Sequence, residues 1–229
     1  MTGSLTQSAI NPPNSGRGGL LFLLRWLANP LRMGSIVPSS RALCERVVRH
    51  GWPATGTAVL ELGAGTGVIS RAFLDAGLSP DRLIVAEVDP ALCRHLRDTL
   101  PGVTVIEGDA RKLPDLLPAR FKDRVGSVVC GIPLVLLPVT EQRKFIDAMH
   151  AVAPGRGFIH FSYCVTSPLS KRKHNLRARR EGWTPKNFPP ASVWRFTPAD
   201  GGELAEHLAA MTGVASPKSA DLPVVQDTE

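Results

Sequence analysis

The sequence predicts an α/β fold in which a mostly parallel β-sheet carries helices on both faces. From Thr57 onward, apolar runs of strand length alternate with segments of helical periodicity, as expected of parallel strands joined by helices. A glycine-rich turn at 63–67 follows the first of these runs, where a strand would lead into a helix. With 229 residues, of which 43% are hydrophobic, the chain can bury one substantial core.

The individual elements follow from this alternation. Short runs of Val, Leu and Ile predict strands, and apolar residues spaced three and four apart predict helices. The predicted strands are 58–62, 83–87, 103–107, 125–130 and 158–165, and the predicted helices between them are 68–76, 91–100 and 141–152.

The first 50 residues divide into two parts. Residues 1–19 are rich in Ser, Asn, Pro and Gly, so we expect a flexible lead. The segment 20–50 is expected to hold an amphipathic helix at its start, with Arg25 and Trp26, and a second helix at its end. The two helices are predicted over 20–29, before Pro30, and over 41–50, after the start signals Ser39 and Ser40.

The main domain is expected over 51–197. Its last part holds a basic stretch at 171–180, interpreted as a loop, and a proline-containing segment at 183–196, interpreted as a loop and an edge strand. Residues 198–229 are small, polar and acidic, with at most a weak helix at 203–211. They are expected to form a disordered tail.

Composition restricts the class of protein. The net charge of +7 indicates a surface that attracts anions, such as nucleic acid or acidic lipid headgroups. The four cysteines form no CxxC pair, so neither a metal site nor a disulfide framework is predicted. The apolar run at 20–24 is broken by Arg25 and is much shorter than a membrane-spanning helix. These features favour a cytoplasmic protein.

Polar groups at three successive strand ends predict a nucleoside site. The first strand carries Glu61 and leads into the glycine turn, which lets a ligand approach the backbone closely. Glu87 closes the second strand, where a carboxylate can accept the hydroxyls of a ribose. Asp109 follows the third strand and could accept the exocyclic amine of an adenine. All three groups would meet at the carboxyl edge of the sheet.

The charges of the residues around the turn distinguish between possible nucleoside ligands. A dinucleotide fingerprint needs glycine where Val68 stands, and Glu61 would repel phosphate but suits a ligand with an ammonium and a sulfonium. These residues resemble the Rossmann-like class I methyltransferases, which use S-adenosylmethionine. The resemblance implies cofactor contacts at Glu61, Gly63, Gly65, Thr66, Gly67, Glu87, Val88, Asp109, Ala110 and Gly131.

The loop after the fourth predicted strand bears on the substrate. Enzymes that dimethylate adenine in ribosomal RNA carry there an Asn or Asp that accepts from the base and an aromatic ring that stacks on it. This chain has Cys130 and Leu134 at those positions, so both interactions would be missing. RNA adenine methylation is therefore a more distant alternative, and no nucleic-acid partner is expected.

Five stretches are similar to the bacterial phospholipid N-methyltransferases, which convert phosphatidylethanolamine to phosphatidylcholine. The resemblance spans residues 20–197 and implies a peripheral enzyme at the inner face of an anionic membrane, with no obligate protein partner. An ornithine lipid is the close alternative substrate. The matching stretches are 26–30, 34–41, 131–134, 161–163 and 187–194. The implied substrate and membrane residues are Arg25, Trp26, Ser39, Ser40, Arg41, Ile132, Pro133, Leu134, Lys171 and Arg172.

Tyr163, the only tyrosine, is the candidate catalytic residue. It follows the fifth predicted strand on the edge where the cofactor would bind, and it could orient the lipid amine or hold the methylated cation on its ring. A half-buried structural tyrosine is the alternative. His160 lies two residues earlier and is interpreted as a core histidine in preference to a catalytic base.

Overall fold

A computed structural model describes residues 40–164, 166–185 and 190–199. In these ranges seven strands form one sheet in the order β3-β2-β1-β4-β5-β7-β6. The strands are β1 Ala58–Leu62, β2 Leu83–Glu87, β3 Thr104–Glu107, β4 Val125–Cys130, β5 Phe158–Ser162, β6 Leu176–Thr184 and β7 Ala191–Pro198.

Strands β1 to β5 run parallel, and β7 pairs antiparallel with both β5 and β6. In sequence order, the strands begin at the centre of the sheet with β1 and continue outward through β2 to β3. The next strand, β4, lies on the other side of β1. This reversal of strand order opens a crevice outside the carboxyl ends of β1 and β4, where open α/β sheets bind ligands. The predicted Rossmann-like fold is confirmed.

Helices connect the strands and cover both faces. The α-helices in the described ranges are α1 Arg41–Gly51, α2 Val68–Asp75, α3 Pro90–Thr99, α4 Leu113–Leu116, α5 Val139–Val152 and α6 Lys171–His174. Helix α1 begins as predicted, because the Ser40 side chain accepts the amide of Leu43 at 3.3 Å and caps its first turn.

Two apolar clusters stabilise the fold, one on each face of the sheet. On the first face, Phe145 and Met149 of α5 pack against Leu60 and Phe158. On the second, Leu43 of α1 and Phe73 of α2 pack against alternate strand residues such as Val59. Strands buried on both faces explain why β1 and β2 are continuous apolar runs in the sequence.

The basic stretch 171–180 differs from the predicted loop. It forms the short helix α6 and the first half of β6, which is the edge strand of the sheet. The physical reason is a two-residue alternation: Leu176 and Ala178 contribute to the core, while Arg177 and Arg179 are exposed or largely so. Arginines along an exposed edge also discourage pairing with another chain.

The segment after Trp183 also differs from its prediction. Its strand, β7, lies between β5 and β6 and is therefore internal. Strand β7 extends to Pro198, the first residue of the predicted tail. Strand β5 ends at Ser162, three residues before its predicted end, where the chain leaves the sheet.

Several predictions fall outside the described residues. The amphipathic helix over 20–29, with Arg25 and Trp26, belongs to them, as do Ser39 and the weak helix at 203–211. Within the described ranges, no helix combines the length and the apolar character needed to cross a membrane.

Candidate active site

The glycine turn between β1 and α2 adopts the left-handed backbone conformation that glycine permits. Gly63 and Gly67 have φ angles of 69° and 79°, in the left-handed region. A Cβ at Gly63 would lie 2.9 Å from Cγ1 of Ile132, and one at Gly67 would lie 2.9 Å from Cδ2 of Leu96. A larger residue at either position would therefore adopt an unfavourable φ and displace a neighbouring side chain. Gly65 has φ 57° and an open approach, since a Cβ there would meet no atom within 4 Å.

Glu61 lies beneath this turn. Its side chain is buried, with 2% exposure, and one carboxylate oxygen accepts the Ser70 hydroxyl of α2 at 2.6 Å. Burial raises the pKa of Glu61 to about 7; the Ser70 hydrogen bond opposes this rise, and the neighbouring Glu87 carboxylate adds to it. The residue thus ties β1 to the first turn of α2 and places a titratable acid under the glycine backbone.

Glu87 joins the turn to the end of β2. One carboxylate oxygen accepts the amide of Gly65 at 2.9 Å, and the other accepts the amides of Val88 at 2.7 Å and Asp89 at 3.1 Å. Its exposure is only 2%. A carboxylate has about four acceptor sites, so these three amides leave little spare capacity for a ribose. Glu87 lies at the end of β2 beside the glycine turn, and the amide of Gly65 in that turn holds its carboxylate.

Asp109 is held by an ion pair that the sequence analysis missed. It accepts the backbone amide of Arg111 at 3.0 Å and the Arg111 guanidinium, which also contacts Glu141 of α5. Burial opposes ionisation of Asp109, but the hydrogen bonds from Arg111 outweigh it and lower the pKa of the carboxyl. An adenine amine would have to share Asp109 with this arginine. The adjacent Ala110 is buried.

The end of β4 closes against the glycine turn. The amide of Gly131 donates to the carbonyl of Leu62 at 2.8 Å, and a Cβ at Gly131 would lie 3.1 Å from the carbonyl oxygen of Gly63. Two backbone segments from neighbouring parallel strands therefore meet side by side at the crevice. The structure brings together the predicted cofactor residues of β1, β2 and β4 at one edge of the sheet.

Two predicted substrate residues are buried here. Ile132 is 5% exposed and Leu134 is not exposed at all, because both side chains pack into the first core cluster. They cannot touch a substrate in this arrangement, and Pro133 between them is half-buried. The exposed side chains of this turn are those of the next two residues, Val135 and Leu136.

The other predicted substrate residues are dispersed. Arg41 is 91% exposed and pairs with Glu45 one turn along α1, while Ser40 caps that helix. Lys171 and Arg172 are exposed in α6. The side-chain contacts of Arg41 and Ser40 described above lie within α1, away from the glycine turn.

Tyr163 follows β5 on the same edge as the glycine turn. It is partly buried and packs against the second core cluster, which includes Ile69 of α2. His160 is in the core, as the sequence favoured. Its Nδ1 donates to the carbonyl of Cys130 at 2.8 Å, and burial lowers its pKa to about 4. Its Nε2 is buried and has no hydrogen-bond partner among the residues that the structure describes.

Comparison with known proteins identifies the class of enzyme. Residues 59–157 match a family model described as a methyltransferase domain. An ornithine lipid N-methyltransferase from Singulisphaera acidiphila is 32% identical over 181 residues, which cover 76% of this chain and 93% of that protein. The chain belongs to the class I S-adenosylmethionine-dependent methyltransferases. The predicted cofactor is therefore confirmed for the family.

Further comparisons define how far this methyltransferase resembles others. The N-methyltransferase NodS from Bradyrhizobium japonicum, in complex with S-adenosylhomocysteine, superposes with a TM-score of 0.51 at 18% identity, over 79% of this chain and 98% of that one. This likeness shows the fold alone. An rRNA adenine N-6-methyltransferase from Streptomyces fradiae is 45% identical over 64 residues, which cover only 27% of this methyltransferase and 18% of that protein.

The residues at the crevice of this methyltransferase suit the cofactor of its family. S-adenosylmethionine carries an ammonium and a sulfonium, and two carboxylates, Glu61 and Glu87, lie at or just beneath the turn. The open approach above Gly65 leaves room for a ligand against the backbone. Charge and shape therefore agree at this site.

Proposed function

We propose that this methyltransferase acts on the primary amine of a membrane lipid, with phosphatidylethanolamine as the substrate and phosphatidylcholine as the final product. The likeness to a lipid N-methyltransferase over 93% of that relative's length carries the proposal. The motif resemblance to phospholipid N-methyltransferases over 20–197 supports the phosphatidylethanolamine headgroup. The ornithine lipid named for the relative is the second candidate.

The turn after β4 argues against an RNA substrate. Cys130 and Leu134 occupy the positions where adenine-dimethylating enzymes carry an acceptor side chain and a stacking ring, and both are fully buried. No group at either position can therefore recognise a base. The short match to an rRNA methyltransferase agrees with this interpretation, because it covers only about a quarter of the chain.

The chemistry requires alignment and a neutral amine. When bound, S-adenosylmethionine would supply the methyl group for an in-line displacement that leaves S-adenosylhomocysteine, and the residues of the glycine turn and Glu87 would hold it. A lipid ammonium must first lose a proton, and a dry pocket favours this loss because it disfavours charge. The chain's own task is to hold the amine in line and to exclude water.

We assign Tyr163 the role of orienting the amine. Its position after β5, against the cluster that supports the glycine turn, is compatible with a headgroup contact at the crevice. The aromatic ring can also hold the positively charged methylated product. His160 is excluded as the proton acceptor, since Nδ1 is committed to a carbonyl and Nε2 is enclosed in the core.

The proposal includes a peripheral location at the inner face of an anionic membrane. The net charge of +7 supports attraction to acidic headgroups. The sequence of 20–29, with Arg25 and Trp26, supports an interfacial helix.

A direct competition between substrates tests the proposal. The purified chain is incubated with methyl-labelled S-adenosylmethionine and vesicles that contain phosphatidylethanolamine, ornithine lipid or both, and the lipids are separated by mass. We expect mono-, di- and trimethylated phosphatidylethanolamine as the main products. If only ornithine lipid became labelled, ornithine lipid would replace phosphatidylethanolamine as the proposed substrate. If added RNA became labelled and neither lipid did, the proposal of a lipid methyltransferase would be refuted.

A further inference from the structure

An exposed apolar turn lies beside the active-site crevice. Six large hydrophobic side chains are exposed by a third or more in the described ranges, and three of them fall within five residues: Val135 at 41%, Leu136 at 49% and Val139 at 36%. They occupy the 3-10 turn after β4 and the first residue of α5. Such a concentration on a surface marks an interaction site. We call these three residues the apolar tip.

Positive charge accompanies the apolar tip, in α5 itself and in α6, which contacts α5. The segments 133–147 and 170–175 carry five Lys or Arg residues against two acids. One of the acids, Glu141, already pairs with Arg111 and Lys144. The cations that remain exposed and outside these pairs are Arg143 in α5 and Lys171, Arg172 and Lys173 in α6. We call these four residues the basic rim.

A buried glutamine joins the tip to the rim. The Gln142 amide nitrogen donates to the carbonyls of Leu134 and Leu137, each at 3.0 Å, and so fixes both ends of the apolar turn. Its amide oxygen lies 2.7 Å from Nε2 of His174, the last residue of α6. Because that oxygen can only accept, His174 carries its proton on Nε2. Gln142 and His174 are each 7% exposed, so this link is part of the folded core.

A second contact strengthens the same junction. The Arg143 guanidinium donates to the carbonyl of Lys173, which places the backbone of α6 directly against the first turn of α5. The tip and the rim are therefore held in a fixed relationship by hydrogen bonds from two consecutive residues of α5. A fixed apolar projection with cations around it has the composition of a membrane-contact surface.

We infer that the apolar tip and the basic rim dock this enzyme on an anionic phospholipid bilayer. The inference rests on the proposed lipid substrate and identifies a surface that presents it. Val135 and Leu136 enter the boundary between headgroups and acyl chains, and the rim meets acidic headgroups. The turn begins directly after the 131–133 segment that packs on Gly63, so docking there brings lipid amines to the mouth of the crevice.

Vesicle partitioning by the full chain tests the inference. The double variant Val135→Ser/Leu136→Ser should bind phosphatidylglycerol vesicles at least about tenfold more weakly, because two apolar side chains no longer leave water. Arg172→Gln should weaken binding about fivefold, the effect of one cation near an anionic surface. Neither variant removes a core residue, so thermal unfolding should stay close to that of the wild type.

Matched variants elsewhere provide the controls. Trp52→Ser removes an exposed apolar side chain that stacks on Phe73, on the opposite face of the sheet. Lys122→Gln removes an exposed cation shortly before the start of β4, at the far end of that strand from the tip. Both controls should partition like the wild type, and all variants should bind S-adenosylhomocysteine equally well.

The outcomes separate this inference from the proposed function. Loss of binding in the tip and rim variants, with unchanged controls, supports docking by this surface. Tip and rim variants that partition like the controls would overturn it. In parallel, the wild type is tested for methylation of phosphatidylethanolamine dispersed in detergent. Failure of this reaction would refute the proposed substrate. The docking surface is judged by vesicle binding alone.

Discussion

The Glu87 carboxylate accepts the backbone amide of Gly65 at 2.9 Å. This hydrogen bond connects the end of β2 to the open centre of the glycine turn, two positions that lie 22 residues apart in the sequence. The acid predicted to bind a ribose is therefore also the group that shapes the turn. A ligand in the crevice would share this carboxylate with the backbone, so cofactor binding and the conformation of the turn are coupled.

Replacing Glu87 should test its role in binding. We expect Glu87→Ala to weaken S-adenosylhomocysteine binding about 10- to 100-fold in calorimetry, because the ribose would lose the one acceptor site that the three amides leave and the turn would lose its support at Gly65. The control is Glu107→Gln, which changes the half-exposed acid at the end of the adjacent strand β3. Circular dichroism should show both variants folded. Equal affinity in the two variants would remove Glu87 from the cofactor site.

Alanine substitutions test how much the close contact with Ile132 limits the residue at position 63. Gly155→Ala should cost about 1–2 kcal/mol of stability, since its φ of 71° is strained for alanine but its surroundings are open. Gly63→Ala has a similar φ of 69° and adds the close contact with Ile132, so it should cost about 1–3 kcal/mol more. Urea unfolding measures both values. Equal losses would show that Ile132 moves aside without cost.

Glu61 should make stability depend on pH. Its pKa is about 7 in the folded state and 4.5 in the unfolded chain, so its contribution is fully present below pH 4.5 and is lost as pH rises through 7. The wild type should therefore lose on the order of 3 kcal/mol relative to Glu61→Gln between these pH values. Chemical unfolding at several pH values tests this. Parallel stability curves for the two proteins would contradict it.

The same group should couple cofactor binding to proton release. A cationic ligand above Glu61 favours the ionised carboxylate, so binding near pH 6.5 should release part of a proton in the wild type. Calorimetry in two buffers with different ionisation enthalpies measures the number of protons. Glu61→Gln should abolish the difference between buffers. If the binding enthalpy of the wild type did not depend on the buffer, the positive charge of the ligand would lie away from Glu61.

Tyr163 should affect catalysis more than cofactor binding. Tyr163→Phe should lower kcat on phosphatidylethanolamine vesicles by about 10- to 100-fold, because the ring remains but the hydroxyl that orients the amine is lost. Tyr163→Leu should lower it further by removing the ring as well. S-adenosylhomocysteine affinity should stay unchanged in both. Normal kcat in the phenylalanine variant would assign Tyr163 a structural role only.

The parts of the fold that could be predicted are those set by local patterns. Strands β1, β2 and β4 have the predicted bounds, and in β1 and β2 the reason is that parallel strands buried on both faces are largely apolar runs. Strand β6 was missed because its arginines suggested a solvated loop, and only pairing with β7 reveals that alternate residues face the core.

The candidate site also combines features that local patterns predict with features that depend on tertiary packing. The positions of Glu61, Glu87 and the glycines follow from spacing along two neighbouring strands. The pairing of Arg111 with Glu141 and the link between Gln142 and His174 join residues 30 and 32 positions apart. Such contacts depend on how α5 packs, which no local pattern specifies. Leu134 was expected at the substrate because the resemblance places the substrate loop after the fourth strand, whereas its side chain is buried where α5 packs.

Amide chemical shifts measured with and without S-adenosylhomocysteine test the central claim most directly, namely that the cofactor binds over the glycine turn. We predict the largest changes at the amides of Gly65 and Val88, both of which donate to Glu87, and at Gly63 and Gly131 where the two loops meet. Amides of the edge strand β6 should remain unchanged. Saturable binding without any change at Gly65 and Val88 would contradict the assignment of this crevice.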